Sequence, residues 1–528
     1  MPLIEKAFAK LHGSFHAIES GTSAEALGLL TGLPTRALDD IHKRGGEKSM
    51  SDDALFAQLR SWHSAGFILC AACGHTDRPV PEFKSLGLKH AHAYAILDVV
   101  AVGAGAANQL VKLRNPWGQG EWAGPWCDRD RSRWTAAAMR KTGFDGVDRD
   151  DGIFYMCLRD LRKYFHSVAV AKLRRNYYQM RWPVRLSAGL QPKEGHVAYV
   201  VTPSARVHVN LAMMQCTERG RYPAKSYVQC DMTLLVVELL PPGATVDVGG
   251  GGGGGPWVAL AGKAGLWREL ANGEGVPVGS EVSMDMASGK NFVKKAARPR
   301  APQGGPGGAA GAITGYALRH GARLHAAGQG MESLDSVTET ETWLEAGKRY
   351  LIVPWAFNNR CMGKEHDASV VLYMSAQLRP KKVAVTPEVV AGALRLFLQK
   401  HGRPEGKQKP DGTAVWCLSP GAYLVENRAP SGGRYSHATF TLKVTKIEGI
   451  LSSRHGRQIP RGVKVSAAKT VDTIPPRSWQ IVNWWVPCES AWSWGSGWST
   501  TWDGPQQEGH EPATVPRGGI HGVYPLDA

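Results

Sequence analysis

KHAHAYAI at Lys89–Ile96 and LRNPWG at Leu113–Gly118 are the two stretches of sequence that decide the fold. They overlap two apolar runs typical of strands, Tyr94–Val102 and Gln109–Leu113, which are separated by a turn of small residues. Two such runs joined by a short turn predict an antiparallel β-hairpin.

The hairpin can bring an imidazole and an amide together at its open end. Side chains alternate along a strand, so His92 shares a face with Tyr94, and Asn115 follows the returning strand on the corresponding face. An amide oxygen that accepts a ring N–H fixes the histidine tautomer and leaves the other nitrogen to exchange a proton with a nucleophile. Trp117 is placed to shield that bond from water. The alternative is a buried histidine near an unrelated turn asparagine.

Composition bounds the remaining interpretations. The chain has 528 residues, a formal net charge of +17 and 43% hydrophobic residues, which excludes a wholly disordered polyelectrolyte and predicts several globular domains. No apolar run approaches the length of a membrane span, so no transmembrane segment is predicted. The nine cysteines are an odd number and are widely spread, which favours a reducing, cytoplasmic location over a disulfide framework.

Three helices are predicted before the hairpin, at Pro2–Leu11, Thr22–Leu30 and Ser51–Ser61. Apolar residues recur at intervals of three and four in the first, and the third begins with good capping chemistry. The first helix has no capping residue before its apolar stripe, which favours a chain that has lost preceding sequence.

The sequence after Pro183 is typical of β-structure, with two related antiparallel β-sandwich modules predicted at 183–378 and 379–450. A Gly/Pro-rich insertion is expected at 243–330, which contains seven consecutive glycines. The Trp/Gly/Pro-rich tail, 451–528, is expected to be largely disordered.

The motifs around the hairpin resemble one protein family. The run H-A-Y, then R-N-P-W-G, then E-W-x-G-x-W at Glu121–Trp126 resembles the second catalytic lobe of calpains, the calcium-dependent papain-like cysteine proteases. Ile4–Gly13 and Asp151–Met156 resemble the helix before that lobe and its end. The resemblance implies an α+β fold. Residues 1–180 would form a partial papain-like protease core, the His/Asn β-barrel lobe with helices, followed by two antiparallel C2-like β-sandwich domains.

The resemblance assigns roles to individual residues. His92 would be the catalytic base, Asn115 the residue that orients it, and Trp117 the residue that shields the site. The family has glycine before the histidine, and this chain has Ala91. His90 has no counterpart in the family.

The resemblance also implies a calcium site. Glu121, Asp128 and Asp151 match family ligands, and Arg149 matches a carbonyl ligand. Such hard oxygen ligands suit Ca²⁺. The last acidic position of the family is Ile153 here, which predicts weakened or lost affinity. Solvated loop acids without a metal role are the alternative.

The nucleophile is missing from the expected region. A papain-like thiolate belongs at the start of a helix upstream of the histidine, and residues 1–69 contain no cysteine. Cys70 and Cys73 lie in or beside an apolar strand. The chain alone is therefore predicted to be an inactive form of a calpain-like endopeptidase, either a truncated product or a pseudoenzyme. The alternative is a non-catalytic regulatory protein whose C2-like domains bind lipid or protein partners.

Other motifs favour ordinary structural roles. Gly103–Asn108 imitates a dinucleotide-binding loop, but strand residues follow it, which favours a hairpin turn. Cys70 and Cys73 have zinc spacing without a second pair. The basic residues between Lys294 and Arg300 lack interleaved aromatics, so no nucleic acid is expected as a partner. Protein substrates, and acidic phospholipid through the C2-like domains, are the predicted partners.

Overall fold

The structure of the chain is a computed structural model. It forms two compact units, Met1–Tyr177 and Tyr178–Ala528, which are described separately below. The described residues are 2–43, 50–76, 78–186, 196–215, 230, 232–239, 267–269, 322–328, 337–356, 365–385, 387–405, 413–418, 422–430, 437–448, 450–452, 458–459, 468–487, 493–503 and 520–526.

The first unit contains six α-helices, a short 3₁₀ turn and six strands among its described residues. The helices are α1 (Pro2–His12), α2 (Ser23–Thr31), α3 (Asp52–Ser64), α4 (Val80–Ser85), α5 (Ala136–Thr142) and α6 (Leu158–Tyr164), and the 3₁₀ turn is His16–Ile18. The strands are β1 (Thr35–Leu38), β2 (Ile68–Cys73), β3 (His92–Ala101), β4 (Gln109–Arg114), β5 (Ile153–Cys157) and β6 (Phe165–Ala171).

Local sequence explains where the early helices begin. The Ser51 hydroxyl accepts a hydrogen bond from the Ala54 N–H, and two aspartates follow in the first turn of α3. Thr22 caps α2 in the same way through the Glu25 N–H. Each cap satisfies a backbone donor that the helix leaves unpaired. The three helices predicted in this region are confirmed within a few residues.

The predicted hairpin is confirmed. Strands β3 and β4 pair antiparallel with Ile96 opposite Leu113, inside a six-stranded antiparallel sheet ordered β1-β6-β2-β3-β4-β5. The glycine-rich segment forms the hairpin turn, closed by a hydrogen bond from the Val102 N–H to the Asn108 carbonyl. Gly105 has a φ of +78°, a backbone conformation that favours glycine.

One face of this sheet packs against α3 and α6. Leu55, Leu59 and Trp62 of α3 are buried in the same core as Tyr94 and Ile96, which follow His92 on its face of β3. Burying a large apolar side chain stabilises a fold by about 1.5–3 kcal/mol. The open end of the hairpin is therefore attached to a well-packed core.

The second unit is mainly β-structure. Its strands are β7 (Tyr178–Leu186), β8 (His196–Val201), β9 (Val207–Gln215), β10 (Thr233–Leu239), β11 (Trp267–Glu269), β12 (Ala322–Gly328), β13 (Val337–Leu344), β14 (Arg349–Trp355), β15 (His366–Met374), β16 (Lys381–Val385), β17 (Arg403–Pro404), β18 (Thr413–Leu418), β19 (Ala422–Asn427), β20 (His437–Glu448), β21 (Ile450–Ser452), β22 (Gln458–Ile459), β23 (Ala468–Ile474), β24 (Ser478–Pro487), β25 (Ser493–Asp503) and β26 (Val523–Pro525). Among the described residues of this unit there is one helix, α7 (Pro387–His401).

Alternate residues of β10 explain how the layers of this unit pack. Leu234 and Val236 are buried in a core shared with β9 and β15 of the four-stranded sheet β13-β9-β15-β7. Leu235 and Val237 are buried in a second core with α7 and with β24. The six-stranded sheet β11-β16-β8-β14-β10-β12 is thus covered on both faces at β10, which explains why residues 234–237 of this strand are all apolar.

The boundary predicted between the two β-modules needs correction. Strand β16, beyond residue 378, pairs with β8 and so belongs to the sheet of the first module. Helix α7 lies where only β-structure was predicted. Residues such as Val390, Leu394 and Phe397 are buried there among many apolar neighbours, so the helix has too little polar surface for a clear amphipathic pattern.

The predicted disordered tail also needs correction. Strands β23 and β25 pair with the two edges of β20, and β24 pairs with β19, so residues 468–503 contain sheet strands. The valine, threonine and tryptophan content of these segments has strong β-propensity, which the glycine and serine residues obscured. Most of the insertion predicted at 243–330 lies outside the described residues, and the strands 267–269 and 322–328 fall inside it.

The structure contains the antiparallel strands predicted for the two modules. Their C2-like character stays a prediction. Helices are few, and none in the described part of the chain is long and apolar enough to cross a membrane.

Candidate active site

The structure places the predicted imidazole and amide together at the open end of the hairpin. His92 Nε2 lies 3.0 Å from Asn115 Oδ1, a normal hydrogen-bond distance. His92 is half-buried at the first position of β3, and Asn115 is fully buried immediately after β4. The sequence thus predicted the contact correctly; the catalytic roles of the two residues stay predictions.

The Asn115 side chain has a single consistent orientation. Its Nδ2 donates to the carbonyl oxygens of Gln119, at 2.8 Å, and Gly120, at 3.4 Å. Its Oδ1 therefore faces His92 and also accepts the Trp117 N–H at 3.1 Å. Because Oδ1 can only accept, His92 Nε2 must carry a hydrogen and Nδ1 of the neutral ring must be the basic nitrogen. No hydrogen bond to Nδ1 occurs among the described residues.

Trp117 covers one side of the imidazole. The two ring centroids are 4.6 Å apart, and the Lys89 ammonium lies 5.1 Å from the centre of the Trp117 ring. The tryptophan is 59% exposed, so its outer face contacts solvent while its inner face contacts the histidine. The predicted shielding role of Trp117 stays a prediction.

The residue before the histidine has a strained backbone. Ala91 has a φ of +53°, in the left-handed region that glycine adopts without steric cost. A buried tyrosine holds the preceding turn, because the Tyr94 hydroxyl accepts the Lys89 N–H at 3.0 Å. The family glycine that this chain lacks would relieve that strain.

We expect Ala91→Gly to stabilise the chain by roughly 1 kcal/mol, because glycine avoids the Cβ clash of the left-handed conformation. Ala93→Gly, two residues later in the regular part of β3, is the matched control and should destabilise by a similar amount. Urea unfolding followed by tryptophan fluorescence measures both. Equal destabilisation by both substitutions would contradict the strain.

The candidate calcium ligands form an acidic group near this site. Burial raises the pKa of Glu121 to about 7, assisted by the charges of Asp128 and Asp151 and opposed by the Gly152 and Asp151 N–H groups. Burial likewise raises the pKa of Asp128 to about 6, with the charges of Asp148 and Asp151 adding to it. These carboxyls therefore repel one another when ionised.

The remaining candidates are more exposed. Asp151 Oδ1 accepts the Ile153 N–H at 2.9 Å in its own turn. The Arg149 guanidinium forms a two-bond ion pair with Asp145, and its backbone N–H donates to Asp128. The structure therefore places Glu121, Asp128 and Asp151 close enough to influence one another.

The fit of these residues to calcium is incomplete. Their oxygens are of the right chemical type, but Glu121 Oε1 already accepts two backbone N–H groups. Within the described part of the chain, no three His, Cys, Asp or Glu side chains converge in a way that could hold a metal ion.

Substituting Glu121→Gln should stabilise the chain at high pH and have little effect at low pH. A carboxyl whose folded pKa is raised contributes stability that is complete below its ordinary pKa of 4.5 and is lost as the pH rises through about 7. The glutamine oxygen can still accept the two N–H groups without carrying charge. Melting temperatures with EDTA at pH 5 and pH 8 measure the difference; a variant equally stable relative to the parent at both values would contradict it.

Three described cysteines of the first unit, Cys70, Cys73 and Cys157, lack the environment of a nucleophile. Cys73 lies directly across from His92 in the β2–β3 ladder, yet it is fully buried, and burial raises its pKa to about 12. Burial also raises the pKa of Cys70, and that of Cys157 to about 11. A reactive thiol needs a lowered pKa. Cys73 is therefore a core residue, although it pairs with His92 across the two strands.

Cys73 should therefore react with iodoacetamide at pH 8 at least roughly 10³-fold more slowly in the folded chain than in urea, since its thiolate fraction is so small. Alkylation followed by peptide mass spectrometry measures each cysteine separately. Rapid native labelling of Cys73 that disappears in His92→Ala would instead reveal an imidazole-activated thiol.

Sequence reasoning missed one contributor to this site. The Asp150 carboxylate accepts the Gly120 N–H at 2.9 Å and so contacts the loop that orients Asn115. Asp150 directly precedes the predicted ligand Asp151 in the sequence. No local sequence pattern predicts that its carboxylate accepts a backbone N–H 30 residues away.

An antiparallel sheet that holds an imidazole against a buried amide is the arrangement that the sequence motifs predicted. The family model described as calpain family cysteine protease matches residues 1–172. Residues 1–172 thus match the calpain family, as the motifs predicted.

Several calpains are similar to this region. Calpain-5 from Mus musculus is 32% identical over 182 residues, which cover 32% of this chain and 28% of calpain-5. Calpain-type cysteine protease ADL1 from Oryza sativa subsp. japonica is 33% identical over 172 residues, 32% of this chain and 8% of ADL1. Calpain-9 from Mus musculus is 30% identical over 196 residues, 35% of this chain and 27% of calpain-9. The chain thus spans less than a third of each of these relatives.

Proposed function

We propose that residues 1–172 are the base-bearing lobe of a calpain-type cysteine endopeptidase that acts on protein substrates. The hydrogen bond between His92 Nε2 and Asn115 Oδ1 carries this proposal. It leaves Nδ1 as the basic nitrogen at the open end of the hairpin, beside the exposed Trp117. The thiol must come from residues other than the buried cysteines of the first unit.

The proposed chemistry uses His92 twice. Nδ1 takes the proton of an incoming thiol, and the thiolate attacks the scissile carbonyl carbon to form a thioester as the amine leaves with that proton. A water molecule then gives its proton to Nδ1, and its oxygen displaces the sulfur, which releases the acid and restores the thiol. Asn115 Oδ1 keeps the Nε2–H in place throughout, and Trp117 limits the access of water to this bond.

The calcium dependence and the location of the protein are part of the proposal. The calpain family is calcium-regulated, but Ile153 replaces its last acidic position and Glu121 is already hydrogen-bonded, so we expect calcium binding by this chain to be weak or absent. A cytoplasmic location is supported by six described cysteines that are all free thiols.

The second candidate function is non-catalytic, a calpain-like protein that binds partners or acidic phospholipid through its β-modules. The observation that favours it is the burial of Cys73 opposite His92, which raises the pKa of that thiol to about 12 and so opposes its activation. In this case His92 and Asn115 would be a structural remnant.

Reconstitution separates the two functions. The chain alone should not cleave casein, with calcium or with EGTA. Mixed with a recombinant Cys-bearing first lobe of a relative such as mouse calpain-5, it should cleave casein, and His92→Ala should lower the rate at least ~10⁴-fold. His90→Ala, a neighbouring imidazole outside the dyad, is the matched control and should retain most activity.

Activity that survives His92→Ala would exclude this residue as the base. A stable complex of the two lobes without any cleavage would favour the non-catalytic function, and binding of phosphatidylserine vesicles by the chain would then be the next measurement.

A further inference from the structure

Two loops are joined by carboxylates beside the dyad. One loop runs from Asn115 to Glu121 and the other from Asp150 to Gly152. The Asp150 Oδ1 accepts the Gly120 N–H at 2.9 Å, and Glu121 Oε1 accepts the Asp151 and Gly152 N–H groups at 2.9 and 2.8 Å. Each loop thus contributes one carboxylate that binds the backbone of the other. Asp150 and Glu121 together are called the carboxylate clip below.

The clip holds the backbone that orients Asn115. Gln119 and Gly120 supply the two carbonyl oxygens to which Asn115 Nδ2 donates, and Gly120 is the residue whose N–H binds Asp150. If residues 119–120 moved away, the amide nitrogen would lose both of its acceptors, and only the Trp117 N–H would still favour the oxygen at the His92 side. The clip therefore holds the contacts that fix the nitrogen side of the amide.

A glycine makes this close approach feasible. Gly152 has a φ of +77°, and a Cβ atom there would lie 3.0 Å from the Asn115 carbonyl oxygen and 3.0 Å from the Gln119 nitrogen. Its own carbonyl accepts the Asn115 N–H at 2.8 Å. The loops thus meet through backbone atoms, and the two carboxylates secure the edges of that contact.

We propose that Asp150 and Glu121 are positioning residues of the dyad, which keep His92 in the Nε2–H tautomer by fixing Gln119 and Gly120 under the Asn115 amide. The inference deepens the proposed function and rests on it where His92 is taken as the base. Asp150 is exposed, so its hydrogen bond contributes little to folding, and its removal should change the tautomer more than the stability.

The test is the tautomer of His92 in the full chain. Long-range ¹H–¹⁵N spectra of the chain labelled with ¹⁵N-histidine distinguish protonated from unprotonated ring nitrogens, and His92→Gln identifies the signals. In Asp150→Ala and Glu121→Ala, we expect the Nδ1–H tautomer to rise about fivefold relative to the Nε2–H form, the factor for losing one ordinary hydrogen bond.

Two controls separate positioning from a general loss of structure. Asp148→Ala removes another exposed carboxylate from the same segment, one that pairs with Arg129 at 3.9 Å, and should leave the tautomer unchanged. Glu121→Gln keeps an acceptor oxygen but removes the charge, and it should preserve the parent tautomer. If the charge of Glu121 were what mattered, this variant would change the tautomer as Glu121→Ala does. Melting temperatures confirm that each variant is folded.

An Asp150→Ala chain that is folded and retains the parent tautomer would overturn the inference, as would an equal change in Asp148→Ala. The spectra need no enzyme activity, so a failed reconstitution would refute the proposed function without affecting this result. An unchanged tautomer together with successful reconstitution would refute the positioning role alone.

Discussion

The hydrogen bond from His92 Nε2 to Asn115 Oδ1 is the interaction on which the interpretation of this chain depends. Because Nε2 donates its hydrogen to the amide oxygen, Nδ1 is the nitrogen of His92 that is free to accept a proton. The bond can form because Asn115 is fully buried and uses both donors and both acceptor positions of its amide. A buried amide with all its groups paired has no reason to rotate, since rotation would leave donors opposite donors.

Residues around this hydrogen bond have unfavourable local conformations or charges. Ala91 is held in a left-handed conformation immediately before His92, and Glu121 and Asp128 are carboxyls that burial and neighbouring charges drive toward the neutral form. Strain and like-charge crowding of this kind accumulate where a fold is constrained by a site rather than by packing alone. The apolar core beneath β3 supplies the stability against which these local costs are set.

Much of the first unit could be predicted from sequence because its signals are local. Ser51 and Thr22 cap their helices, small residues turn the hairpin, and strand alternation places His92 and Asn115 together. The features that the sequence could not predict are contacts between residues that are far apart along the chain. The clip needs Asp150 to meet Gly120, and β16 pairs with β8, a strand that begins almost two hundred residues earlier. Helix α7 was missed because burial removes the polar face by which a helix is recognised.

The most direct test of this account is a crystal structure of the chain at a resolution sufficient to assign the amide. The account predicts His92 Nε2 within hydrogen-bond distance of Asn115 Oδ1, with Nδ2 directed to the carbonyls of Gln119 and Gly120. An imidazole and an amide that lie apart, or an amide that presents its nitrogen to the histidine, would contradict it.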